Sequence, residues 1–401
     1  MNKWLLILFG VAFGAILFYF IKVNQKISQF YEKIYKPKNN HVRQEQLPSP
    51  EKTAFNILLL GYAGGNHEGA YLTDTVMVAH VDFKKKRVVL VSVPRDVWVK
   101  IPTKSGESFH GKINILYQME LFPKDYPDVA SKNVVTRVVS SVTGLSIDYY
   151  ALLDFVGFKQ AIDVLGGVDI EVRRSFEDPR YPIEGKEKDL CGKDEPFAKI
   201  EKYLSEELSL SDEKESTLSA ERDDLFKKNP DLETFFKDIT DNPPAAFPCR
   251  YETIQFAAGP NHMDGDTALK FARSRNAPQD GGDFGRAKRQ QQLIEAVKEQ
   301  VLSIGFIPKA IPFLDSLEDH VATDIPLDQM KKFLAEANRG NDYKITNLVL
   351  TDNEYLKGTR SEDGQFILIP EEGEDRWGRV QRWIKSAIAG ISPTPKKSSA
   401  P

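Results

Sequence analysis

The chain has 401 residues, 41% hydrophobic and 28% charged, with 54 Lys and Arg against 58 Asp and Glu for a formal net charge of -4. That balance excludes a disordered chain, a collagen and a coiled coil, and it offers no basic field for wrapping nucleic acid. A mean hydropathy of -0.39 excludes a polytopic membrane protein, while two cysteines and six scattered histidines exclude a thiolate zinc site, so any metal must be held by oxygen.

In chain order, the uncharged run from Trp4 to Ile21 comes first. At about 1.5 Å per residue it spans roughly 27 Å, the thickness of one hydrocarbon core. No small-residue cleavage site follows it, so residues 1–21 read as an uncleaved transmembrane anchor rather than a signal peptide. Lys22, Lys26, Lys33, Lys36, Lys38 and Arg43 all follow the span, and by the positive-inside rule they would place the body in the cytosol. Residues 22–54, with Pro37, Pro48 and Pro50, have the composition of a stalk.

A domain is expected over residues 55–390. NILLL is a buried-strand run that breaks into the glycine-rich stretch Gly61 to Gly69, and DTVMVAHVDF and RVVLVSV are two strands around the Lys84-Lys85-Lys86 turn. Helical patterns follow at Ser131 to Val142 and Phe155 to Leu165, the second closed by Gly166-Gly167 before the strand VDIEV. Strand and helix alternate, so the fold class is α/β. An acidic insertion of about 177–249 comes next; between Lys186 and Asp241 it carries 17 Asp and Glu against 10 Lys and Arg, and its thin apolar face predicts a solvated lid or spacer. Cys191 and Cys249 stand at its ends, a disulfide if the body is outside the cytosol and free thiols if it is not. The helix TALKFARSR, the loop NAPQDGGD and a helix from Phe284 to about Ser303 follow, then another helix and the strands ITNLVL and QFILIP. Residues 391–401 have no core-forming pattern and read as a disordered tail.

Carboxylates and arginines collect where these elements end. Asp74 opens one strand and Arg95-Asp96 close its hairpin partner after Pro94, so pairing about the lysine turn would bring them together. Two such carboxylates repel unless a hard cation such as Mg²⁺ neutralises them. Arg286, Arg289 and Gln290, at i, i+3 and i+4, share a helix face that the stripe of Leu293 and Val297 continues into the core. Arginine forks match phosphate oxygens, and a helix N-terminus adds N–H donors, so this cluster reads as an anion site rather than a solvated face. GYAGGNHEG lacks the spacing of a P-loop or a dinucleotide fingerprint, and no GxSxG elbow occurs.

The ordered set NILLLG, TDT, VSVPRD, GKIN, YYALLDFVGFKQAIDVLGGVDI, HMDGDTALKFARSR and DFGRAKRQQQLI, behind one apolar N-terminal run, resembles the LytR-CpsA-Psr family of cell-wall enzymes. The resemblance implies an extracytoplasmic α/β/α sandwich with a central mixed sheet, held to the cell membrane by a single pass. It implies transfer of a glycopolymer phosphate from a polyprenyl-pyrophosphate carrier to peptidoglycan or a related wall acceptor, with Mg²⁺ (or Mn²⁺) at the pyrophosphate. Asp74 and Asp96 match the metal-associated positions, and Arg95, Arg273, Arg275, Arg286 and Arg289 the phosphate-binding arginines. Lys112 and Asn114 match the central lysine-asparagine motif, and Asp283 and Gln290 the acidic and amide positions. Asp283, Arg95 and Arg286 are the expected catalytic set, Asp283 as the group that orients the acceptor proton. Leu72 stands where many members carry arginine, and the insertion is longer than expected. The prenyl chain needs an apolar tunnel, for which Leu293, Ile294, Val297 and the Phe155 to Phe158 stretch are suited. A polyprenyl-pyrophosphate phosphatase and a non-catalytic lipid-carrier-binding regulator are the competing readings.

Overall fold

The computed structural model describes residues 22–23, 25–36, 52–65, 69–130, 133–204, 212–279, 281–301, 303, 309–338, 343–351 and 354–391. The apolar run 4–21 and the tail beyond 391 lie outside them, and among the described residues no helix is long and apolar enough to cross a membrane. Residues 25–34 form a helix (α1), so the expected stalk begins instead as a docked element. Phe30 and Ile34 are buried, Lys33 pairs with Glu318 at 2.9 Å, and Lys26 pairs with Asp315.

An antiparallel meander of β1 (Ala54–Tyr62), β2 (Thr73–Asp82) and β3 (Arg87–Val93) forms the centre of the sheet. Its apolar runs are buried on both faces, which is why they lack a clean polar alternation. A hairpin of β4 (Trp98–Pro102) and β5 (Ser108–Lys112), then α2 (Leu116–Leu121) and α3 (Val134–Thr143), cover one face. β6 (Tyr149–Asp154) runs parallel to β1 and leads directly into α4 (Phe155–Leu165), capped by Asp154 Oδ1 on Gly157 N at 2.9 Å. β7 (Val168–Val172) and β8 (Phe176–Pro182) follow.

Helices α5 (Asp194–Leu204), α6 (Asp212–Lys228), α7 (Pro230–Asp241) and α8 (Pro243–Ala246) make up the acidic insertion. Rather than a solvated spacer, it has a small core of its own around Ile200, Tyr203, Phe226, Phe235 and Phe247. Each helix gives this centre only one or two buried side chains, so no single one of them predicts a core. Cys191 and Cys249 are disulfide-bonded at its base, with Cα atoms 5.6 Å apart. β9 (Tyr251–Phe256) pairs with β8, and β10 (Gly259–Met263) with β7.

α9 (Gly265–Arg273) and α10 (Gly282–Val301) precede α11 (Ala310–Leu317), β11 (Val321–Thr323), α12 (Leu327–Asn338) and β12 (Lys344–Val349). β13 (Leu356–Arg360), β14 (Phe366–Pro370) and α13 (Gly378–Ala389) end the described chain; β13 and α13 were not expected from the sequence. The mixed sheet runs β11-β6-β1-β2-β3-β12. α3 and α13 pack on the face bearing Leu58, Val78 and Val91. On the opposite face, Ile57, Met77 and Leu90 meet Ile294 of α10 and Met330 and Phe333 of α12.

Candidate functional site

The meander register pairs Val76 with Val93 and Asp82 with Arg87, so continuing it by two residues sets Asp74 opposite Arg95. Arg95 Nη1 donates to Asp74 Oδ1 at 2.5 Å. Arg95 Nε is buried and lies 3.8 Å from Asp96 Oδ2, beyond hydrogen-bond range, so one guanidinium bridges the two carboxylates. Asp96 is 7% exposed; Lys112 Nζ reaches its Oδ1 at 2.9 Å and Arg275 Nη2 its Oδ2 at 3.4 Å. Arg286 Nη1 approaches Asp74 Oδ1 at 3.5 Å. Thus Asp74, Arg95, Asp96, Lys112, Arg275 and Arg286, from five separate segments, form one ionic network. Asn114 sits just behind it, buried, its carbonyl accepting from Thr73 Oγ1 at 3.3 Å.

This network opens on a cleft of about 380 Å³ that also includes Arg180, Arg273, Asn276, Tyr181 and Asp178. Five arginines and Lys112 against Asp74, Asp96 and Asp178 leave the cleft positive, as an anion site requires. Asp178 was not singled out from the sequence. It is fully buried, its Oδ2 accepting from Ser274 Oγ at 2.8 Å, Arg275 N at 2.9 Å and Asn276 N at 3.0 Å. It thereby fixes the loop that aims Arg273 and Arg275. The signal was a carboxylate at an inward position of β8, two residues after the buried Phe176. Arg273 Nη1 contacts Tyr181 Oη at 3.5 Å and stacks over Phe155 at 4.5 Å. Burial pushes the Tyr181 phenol up, so it stays neutral beside Arg273, from which it accepts.

A second cavity, of about 400 Å³, is almost wholly apolar and lies between the sheet, α4, α9, α10 and α11. Phe155, Phe158, Leu293, Ile294 and Val297 line it, joined by Leu269, Phe313 and Leu317, with Gln290 among them. Asp74 and Arg273 border both cavities, so the apolar pocket meets the cationic cleft at these two side chains.

Two residues expected at the pyrophosphate, Arg289 and Gln290, are placed elsewhere, Gln290 on the apolar pocket. Arg289 is 1% exposed and outside the cationic cleft: its Nε donates to Phe271 O at 2.9 Å, its Nη2 to Ser274 O, and its guanidinium stacks over Phe176 at 4.8 Å. It ties α10 to the end of α9 instead of facing the cleft, because the rings of Phe176 and Phe271 and the carbonyls at the end of α9 draw its guanidinium away from that of Arg286. Asp283 lies in the first turn of α10, and its side chain is outside the described residues. Among the described residues, the potential metal-ligand cluster is Asp189, Cys191 and Cys249, where the disulfide occupies both sulfurs.

Fold and site together define an α/β protein whose cationic cleft adjoins an apolar pocket. The chain belongs to the LytR_cpsA_psr family, whose profile matches residues 17–373. It is 25% identical over 395 residues to a polyisoprenyl-teichoic acid–peptidoglycan teichoic acid transferase, TagU of Halalkalibacterium halodurans, covering 96% of this chain and 99% of that one. TagU of Enterococcus faecalis is 22% identical over 393 residues, covering 95% and 97%. The crystal structure of B. subtilis TagV shares the fold with a TM-score of 0.51 at 21% identity, across 86% of this chain and 100% of that one.

Proposed function

We propose that the protein is a membrane-anchored phosphotransferase. It would move a glycopolymer with its phosphate from a polyprenyl-pyrophosphate carrier to peptidoglycan or a related wall acceptor, outside the cytosol. The observation that carries this reading is the meeting of the apolar pocket and the arginine cleft at Asp74 and Arg273. A polyprenyl pyrophosphate is an apolar chain ending in a polyanion, and the two cavities match its two parts.

In this reading the arginines exchange carboxylate oxygens for phosphate oxygens. The acceptor hydroxyl oxygen bonds to the sugar-side phosphorus, the bridging P–O bond breaks, polyprenyl phosphate departs, and the hydroxyl proton passes to a carboxylate, assigned to Asp283. Arg95, Arg275 and Arg286 stabilise charge on the non-bridging oxygens, and Arg273 orients the phosphate at the pocket mouth. Asp74 and Asp96 are hard oxygen donors already set around one cationic group, so they fit Mg²⁺ or Mn²⁺ and would hold it. When bound, such a cation neutralises charge on the pyrophosphate.

The test is incubation of the full-length chain, in detergent, with a lipid-pyrophosphate oligosaccharide and an acceptor glycan. Phosphosugar should appear on the glycan, EDTA should abolish transfer, and Mg²⁺ should restore it. Product on water would make the protein a phosphatase, and binding without product a lipid-carrier sensor. Full transfer in metal-free buffer would return Asp74 and Asp96 to a purely positioning role.

A further inference from the structure

On the far side of α10 lies a third cavity, of about 390 Å³. Helix residues turn by about 100° each, so Lys288 points away from Arg286 and onto this other side. The rim carries Lys288 together with Arg173 and Arg174, which follow β7, and all three are exposed. Arg174 Nη1 reaches Gln279 O at 3.4 Å. Among the described residues no carboxylate pairs with any of these three cations, and no acidic residue lines the cavity. The contrast with the first cleft is direct, because Arg95, Lys112, Arg275 and Arg286 each hold an aspartate. Like charges gathered without a counterion repel, and an anion bound among them removes that repulsion.

The floor is built rather than accidental. Gln291 Nε2 donates to Ser92 Oγ at 2.9 Å and to Leu348 O at 3.2 Å, which fixes its amide beside the carboxyl ends of the parallel strands β3 and β12. Asn347 Nδ2 is held by Glu295 at 2.9 Å. Open α/β sheets take ligands beyond such strand ends. Gln292 and Thr351, partly exposed on the same lining, put neutral polar groups beneath the basic rim and suit a chain that carries hydroxyls as well as charge, and the volume exceeds that of a single phosphate.

We propose that this cavity binds a segment of an anionic glycan or polyol-phosphate chain. Only the thickness of α10, roughly 10 Å, separates it from the pyrophosphate cleft, so it would grip the stretch of polymer just outside the reacting end. This deepens the proposed transfer and rests on that reading only for the origin of the chain. Two sources share the chemistry: the polymer being moved, through its phosphates, and the wall strand that receives it, through its carboxylates.

The experiment measures equilibrium binding of two soluble probes to the full-length chain: a lipid-free glycerol-phosphate oligomer and a glycan strand bearing peptide carboxylates. Neither contains a prenyl group or pyrophosphate, so the outcome is independent of whether transfer occurs. Wild type is expected to bind at least one probe, which identifies the source. The Arg174→Ala/Lys288→Ala double variant should bind that probe at least tenfold more weakly, Arg173→Glu should do the same, and Lys288→Arg should retain affinity. These side chains are exposed, so the variants should fold, as circular dichroism would check. Binding of neither probe by wild type, or equal binding by the folded double variant, would overturn the assignment.

Discussion

Arg286 and Arg289 sit one helix turn apart yet make different contacts, Arg286 with Asp74 in the cleft and Arg289 with the end of α9. Arg286→Ala leaves Asp74 paired with Arg95, so the fold should hold while affinity for a polyprenyl pyrophosphate drops by about 1.5 to 3 kcal/mol, the worth of a charge-assisted bond. Arg289→Ala instead strips the Phe271 and Ser274 carbonyls of their donors in a buried setting. It should lower unfolding free energy by about 2 to 4 kcal/mol. Denaturant titrations beside binding isotherms separate the two effects, and an Arg289→Ala protein of normal stability with lost affinity would put Arg289 back among the ligand contacts. His80 offers a pH test. Burial holds its imidazole below the ordinary value, and its Nδ1 lies 2.8 Å from Asn56 Oδ1. The neutral ring is the one that folds, so its contribution is complete above about pH 6.5 and is lost as pH falls through the folded-state pKa. Between pH 7 and 5 the unfolding free energy should fall less steeply in His80→Gln than in wild type; identical slopes would remove His80 from the acid response.

The apolar pocket depends on how closely α4 and α9 approach each other. A Cβ on Gly265 would sit 2.2 Å from the Lys159 carbonyl oxygen, a backbone atom that cannot swing aside. Gly265→Ala must therefore push α9 off α4, at about 1 to 3 kcal/mol of stability. It also shifts Leu269 and Ala272 against Phe158 and Ile162 across the pocket. A thermal midpoint lower by several degrees, with weakened prenyl binding, is the expected pair of changes. Wild-type values for both would mean that the helices separate freely.

At the scale of the full chain, the disulfide bears on orientation. Cys191 and Cys249 lie 58 residues apart in sequence, and closing such a loop is worth at most about 4 kcal/mol. That stabilisation exists only where thiols oxidise, which supports placing the body outside the cytosol against the pull of the basic flank. Protease added to intact cells should digest the domain, and thiol reductant should lower its thermal midpoint. Full protection of the domain in intact cells would reverse the orientation.

Local pattern alone was enough for the central sheet strands, for α4 with its Gly166 stop, and for the Asp74–Arg95 meeting, because a hairpin's register follows from the turn that closes it. Asp96, Arg275 and Arg286 were legible as chemistry before any geometry was known, and Lys112 only through the family resemblance. Tertiary structure decided the rest. Asp178 acquires its role from Ser274 and Arg275, nearly a hundred residues later. Arg289 is diverted by aromatic rings of β8 and α9, and the insertion's core gathers from four helices that each supply only one or two buried side chains. Contacts between distant segments leave no periodic trace in either segment, since each partner's pattern records only that one of its faces is buried, not what it is buried against.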